Sequence, residues 1–182
     1  MAAASDGPYD IEFFWDPVCP FAWITSRWVA RVAARRDYRV DWRFISLRLV
    51  NKDKDDATEI STAAEEVHMV GLRTLRVAAA VRDELGREVL GDLVNSSGES
   101  NRDHPKGTGD RHRLSTAEHV EGVLRRAGLP DRFAASMDDA SWDQLLDAEC
   151  ELALARTGRD VGTPIITFNP PDGLSFFGPV IS

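Results

Sequence analysis

The chain is poor in cysteine: Cys19 and Cys150 are the only two among 182 residues. Two are too few for the disulfide framework of a small secreted domain, and no further set of Cys and His stands at zinc-ligand spacing, so no metal is expected. Long apolar runs are missing too. No stretch approaches the 18 apolar residues of a membrane span, and residues 1–10 hold neither the basic segment nor the apolar core of a signal peptide. A cytoplasmic protein with no membrane partner is expected. Positive charge is in deficit: the net charge of -8 argues against a nucleic-acid partner. No internal repeat is present. The 43% hydrophobic content supports one domain with a sizeable core, or a small domain carrying an insertion.

What is there centres on Asp16-Pro17-Val18-Cys19-Pro20-Phe21-Ala22-Trp23. Upstream, Tyr9, Ile11, Phe13 and Trp15 alternate with Asp10 and Glu12, which predicts a strand with one well-buried face. Downstream, Phe21, Ile24, Trp28 and Val32 recur at helical spacing to about Arg36, and Pro20 suits the first helical position, where a missing N–H costs nothing. Cys19 therefore falls at or beside the N-cap. There free backbone N–H groups and the helix dipole favour thiolate over thiol, and a pKa below the ordinary value of about 8.5 is expected. The bland alternative is an inert buried cysteine.

After this helix, Tyr38, Val40, Trp42 and Phe44 alternate with charged residues, and Ile45, Leu47 and Leu49 continue in the opposite phase. The pattern predicts a second strand bulged near Ile45. Strand, helix and strand make a βαβ unit with ligands gathering at the carboxyl end of the first strand, where Cys19 lies. From Asn51 onward the reading is helical. Val70, Val77, Val81, Leu85 and Val89 form one stripe, and Val120, Leu124 and Ala127 another, opened by a capping box at Ser115 to Glu118 and closed by Gly128 and Pro130. A short helix is expected near Asp131 to Met137, and a longer one capped at Ser141 to Gln144 runs to about Thr157. Between the two stripes, Asn95 to Arg113 is poor in apolar residues and holds Arg102, His104, Lys106, Arg111, His112 and Arg113. It reads either as a solvated loop or as a basic lid over an anionic or polar ligand.

Cys150 shares a helix face with Leu146, Ala153 and Leu154, so it reads as core. It stands some seven residues, or about 10 Å, from the helix end, a poor place from which to resolve a disulfide at Cys19. Gly162-Thr163-Pro164 then enters Ile165 to Phe168, a turn at Asn169 to Gly173 follows, and Leu174 to Phe177 is the antiparallel partner. A proline opening a strand suggests an edge, a strand start or a cis bond.

Cys-Pro at a helix start, a long helical insertion and Gly-Thr-Pro entering a final hairpin together resemble the DsbA-type branch of the thioredoxin superfamily. More narrowly, Trp15 to Trp28, Asp160 to Pro164 and Phe176 to Pro179 resemble the actinobacterial mycothiol-dependent nitroreductases. The resemblance implies an α/β thioredoxin-like fold, βαβ plus a C-terminal β-hairpin, with an inserted all-helical subdomain. The thioredoxin-like domain would span 8–50 and 160–182, and the helical insertion 51–159. It implies Cys19 as the catalytic nucleophile, Pro164 as a cis-proline beside it, and the Thr163 backbone as a partner for a bound thiol. Pro20, Phe21, Trp23, Thr163, Pro164, Arg102 and His104 are the candidate thiol- and substrate-binding residues.

The chain departs from the usual Cys-x-x-Cys motif in carrying Ala22. Alanine cannot attack a mixed disulfide, so turnover would need an outside thiol. Mycothiol or another low-molecular-weight thiol is the implied cosubstrate, with no tightly bound cofactor and with a small molecule or a disulfide as substrate. The function expected is thus a monothiol oxidoreductase. The alternatives are a catalytically weak relative that binds a thiol conjugate or peptide, and a thiol-cofactor-dependent isomerase or transferase. In this fold Gly178-Pro179-Val180 should open a helix that covers the sheet, yet Ser182 is the last residue. Truncation or another cover for that face is expected, and an uncovered face would favour association, a homodimer included.

Overall fold

The computed structural model describes residues 8–52, 62–102 and 111–178, with residues 102, 111 and 112 described by backbone alone. Its sheet is built from β1 (Ile11–Trp15), β2 (Val40–Phe44), β3 (Ile165–Phe168) and β4 (Ser175–Phe177), in the order β2-β1-β3-β4. The β1–β2 pair is parallel, with Phe13 opposite Trp42, and β1–β3 and β3–β4 are antiparallel. The parallel pair is joined by α1 (Pro20–Arg36), a connection too long for a hairpin and suited to a helical crossover.

Period-two alternation sorts the strand residues onto two faces. Ile11, Phe13 and Trp15 join Trp42, Phe44 and Ile166 in the larger core, against Ala22 and Val29 of α1. The rings of Phe13 and Trp42 meet edge to face at 5.2 Å. The other face carries Phe14, Ile45 and Ile165, closed by Cys150 and Ala153 of α7 (Asp143–Thr157). Each of these large side chains contributes about 1.5–3 kcal/mol by leaving water.

Charged residues of that second face form a network. Arg43 pairs with Glu149 at 2.7 Å and Glu12 at 3.0 Å, Arg82 also reaches Glu149, and Arg156 reaches Glu12 at 2.9 Å. Glu12 and Glu149 are buried, so their desolvation is offset only because every carboxylate has guanidinium partners.

Between β2 and α7 come α2 (Leu47–Val50), α3 (Thr62–Leu85), α4 (Leu90–Arg102), α5 (Arg111–Leu114) and α6 (Ala117–Arg126), then two 3-10 segments at Asp131–Asp138 and Ala140–Trp142. Several boundaries differ from expectation. The second strand stops at Phe44, because Ser46 caps α2 by accepting the N–H of Leu49, and Leu47 and Leu49 are helical. The apolar-poor stretch from Asn95 is helix as far as Arg102. Ser96 and Ser97 are buried in it, so small polar residues pack where large apolar ones were sought. Thr116, not Ser115, caps α6, and Asp139 caps the 3-10 turn that leads into α7.

Candidate functional site

The N-cap of α1 is Cys19, with φ -79° and ψ 115°. Pro20 opens the helix, and the N–H of Trp23 donates to the Cys19 carbonyl at 3.2 Å. The sulfur is nearly covered, the residue being 7% exposed, and its S–H donates to the carbonyl of Thr163 at 3.3 Å. Thus β1, α1 and the approach to β3 converge on one thiol. The Thr163–Pro164 bond is cis, and the N–H of Gly178 closes on the Pro164 carbonyl. The Thr163 hydroxyl is buried with no hydrogen-bond partner among the described residues.

The thiol pKa corrects the expectation drawn from the helix start. Burial pushes the Cys19 thiol up, the N–H groups of Ala22 and Phe21 pull it down, and the nearby Asp16 carboxylate pushes it up again. The net direction is upward. Cys19 makes no side-chain cap hydrogen bond, so the helix start yields less stabilisation than a fully made cap would, and the pull of the Ala22 and Phe21 N–H groups does not offset burial.

Asp16 is the residue that sequence reasoning missed. Its carboxylate accepts the N–H of Val18 at 2.9 Å and that of Leu47 at 2.8 Å, pinning the loop before Cys19 to the start of α2. Burial raises its pKa to about 6, against the pull of those two N–H groups. Gly71 of α3 makes the fit possible, since a Cβ there would lie 2.6 Å from Asp16 Oδ1. The available signal was an acid directly after a buried strand and three residues ahead of the cysteine.

The remaining candidates divide. Phe21 is 55% exposed, two residues after the thiol, and Ile24 is exposed further along the same helix. Ala22, one turn from Cys19, is buried in the core. Trp23 is half-buried and lies on Gly98 of α4, where a Cβ would come within 1.5 Å of its Cδ1. Arg27 stacks on the Trp23 ring at 5.2 Å and pairs with Glu99, while Asn101 Nδ2 donates to the Pro17 carbonyl at 2.9 Å. Trp23 therefore joins α1 to α4. His104 and the side chain of Arg102 lie outside the described residues, as do His104's neighbours in the basic stretch up to Asp110.

Cys150 sits behind the sheet. Its sulfur accepts the N–H of Ser46 at 3.2 Å, and burial pushes its thiol up to about 12. Both cysteines are free. Among the described residues no group of three His, Cys, Asp or Glu side chains is placed to hold a metal, and no helix is long and apolar enough to cross a membrane.

A four-stranded sheet with a cysteine at the first crossover helix, facing a Thr-Pro turn, is the thioredoxin-like arrangement interrupted by helices. A solved structure of a candidate protein-disulfide isomerase from Pseudomonas syringae has the same fold, with a TM-score of 0.55 and 16% identity over 94% of this chain and 85% of that one. Residues 18–182 match the Rv2466c-like family, described as mycothiol-dependent nitroreductase Rv2466c, and the chain belongs to that family. It is a thiol-dependent oxidoreductase of thioredoxin-like fold. The uncharacterized protein Rv2286c of Mycobacterium tuberculosis is 26% identical to it over 94% of this chain and 68% of that protein.

Proposed function

We propose that the chain is a monothiol oxidoreductase in which Cys19 is the nucleophile and mycothiol, or another low-molecular-weight thiol, completes the cycle. The observation that carries this reading is the placement of the sulfurs: Cys19 faces the Thr163 carbonyl, position 22 is a buried alanine, and Cys150 packs against the other side of the sheet.

The Cys19 thiolate attacks a disulfide R–S–S–R′, forming Cys19–S–S–R and expelling R′S⁻, which takes up a proton. A small thiolate R″S⁻ then attacks the R sulfur, releasing R–S–S–R″ and regenerating the Cys19 thiolate. The R′ half is thereby reduced to a thiol, the small thiol R″ is oxidised, and the R half leaves as the mixed disulfide R–S–S–R″. Phe21 and Ile24 offer the bound group an apolar surface, and the Thr163 backbone and Pro164 lie beside the sulfur. The nitro-group reduction in the family's description stays with the family.

A second reading, binding of a thiol conjugate with little turnover, is favoured by one feature: Cys19 is covered and its pKa is raised, which leaves little thiolate at neutral pH. Turnover of a mixed-disulfide substrate with mycothiol, glutathione and cysteine in parallel separates the two. The oxidoreductase reading expects multiple turnovers with at least one thiol, all lost in Cys19→Ser. Tight binding with less than one turnover per chain would replace it by the binding reading.

A further inference from the structure

A cleft of about 300 Å³ opens between α4 and α6, apart from the thiol site. Its wall on α6 follows helical spacing: His119, Gly122 and Arg126 share one face, with Arg125 beside them. Gly122 leaves the floor open, since a Cβ there would meet nothing within 4 Å. Arg113 enters from α5, and Ser100 closes the α4 side. Three guanidinium groups thus line one small cleft in a chain whose net charge is -8.

One carboxylate, Glu118, also lines the cleft, against three guanidinium groups. Arg125 has Glu121 at 3.6 Å and Asp131 at 3.7 Å, both partly or largely exposed, so solvent screens these long pairings and the guanidinium keeps capacity for another anion. Under His119 the cleft adjoins a void of about 10 Å³, room for about one water. Ser97 lines that void, 2% exposed, with a hydroxyl that has no hydrogen-bond partner among the described residues. A buried hydroxyl without a partner is costly, and a water or ligand atom reaching inward would satisfy it.

We propose that the α4–α6 cleft binds a small oxyanion-bearing molecule, a phosphate or carboxylate compound, through Arg113, Arg125 and Arg126. The planar fork of arginine matches both oxyanions with two parallel hydrogen bonds, and the cleft is at the small end of ligand pockets, which run from about 300 to 1,000 Å³. The site does not depend on thiol chemistry.

The test is calorimetric titration of the full chain with pyrophosphate and, separately, citrate, at constant ionic strength set with chloride. Saturable one-site binding is expected in at least one arm, and the tighter arm identifies the oxyanion. Arg113→Gln and Arg126→Gln should each weaken it about tenfold or more, and Arg126→Lys, which keeps the charge without the fork, by less. Arg132→Gln, on the 3-10 segment where Arg132 pairs with Glu84, and Cys19→Ser should bind like the parent chain. The altered arginines are exposed, so urea midpoints should not move. Absence of saturable heat in both arms, or an equal loss in Arg132→Gln, would overturn the proposal. Retained binding in Cys19→Ser lets this inference and the oxidoreductase reading fail independently.

Discussion

The two faces of the sheet each hold one buried cysteine, and they differ in what surrounds the sulfur. Cys19 ends a loop that three elements support: β1 delivers it, α1 begins on it, and the Thr163 carbonyl accepts its proton-bearing bond. Cys150 lies in the middle of α7 among Phe14, Ala153 and Ile165, and its sulfur accepts the Ser46 N–H. Burial raises both thiol pKa values, so acidity alone does not mark the reactive one. What separates them is position: Cys19 caps a helix start and donates to the Thr163 carbonyl, whereas Cys150 lies in mid-helix.

Serine and alanine substitutions break this comparison most sharply. Cys19→Ser should reduce exchange with a small disulfide to the uncatalysed background, while Cys150→Ala should leave the rate within about twofold and cost on the order of 1 kcal/mol in urea unfolding. The next effect concerns the charged side of the sheet. Glu149→Ala leaves Arg43 and Arg82 partly buried without their shared carboxylate and should destabilise by about 3–5 kcal/mol. Although burial opposes it, hydrogen bonding from Arg43 and the charges of Arg82 and Arg43 hold Glu149 below its ordinary pKa. Its stabilisation is therefore present above the unfolded pKa near 4.5 and is lost as pH falls through the lower folded value.

Asp16 on the loop side has the opposite sign. Its folded pKa near 6 exceeds the ordinary 3.8, so the fold favours the protonated carboxyl, and that contribution is lost as pH rises from about 3.8 through about 6. Gly98→Ala should destabilise by about 1–3 kcal/mol, since the added methyl forces Trp23 off α4; a urea midpoint equal to the parent's would refute the interlock between α1 and α4. The smallest change expected is a downward move in the pH inflection of Cys19 alkylation in Asp16→Asn, because one of the groups raising that pKa is removed. An unchanged or higher inflection would show that Asp16 acts on the loop's geometry alone.

The fold was legible where local signals agree. Alternation over Ile11 to Trp15, Pro20 after Cys19 and the Gly-Thr-Pro entry to β3 are short-range patterns, and each marks an element the structure contains. The end of β2 was hidden because Leu47 and Leu49 keep an apolar alternation while Ser46 caps a helix, a competition decided by tertiary contacts. The latter half of α4 was hidden because Ser96, Ser97 and Gly98 look like loop residues, and only Trp23 explains why a glycine belongs there. At the candidate site, the place of Cys19 at a helix start could be read from its neighbours in sequence. The thiol's acidity could not, because the burial that desolvates the sulfur, beside the Thr163 carbonyl from the far end of the chain, exists only after folding.

The most direct measurement is the intact mass of the protein after treatment with a small-molecule disulfide and removal of excess reagent. One adduct per chain is expected, mapped to Cys19 and removed by free thiol, while Ala22→Cys should instead close an internal bond and shed the adduct. An adduct-free parent chain carrying a Cys19 to Cys150 disulfide would contradict the account, since it would require the sulfurs to meet across the sheet that separates them.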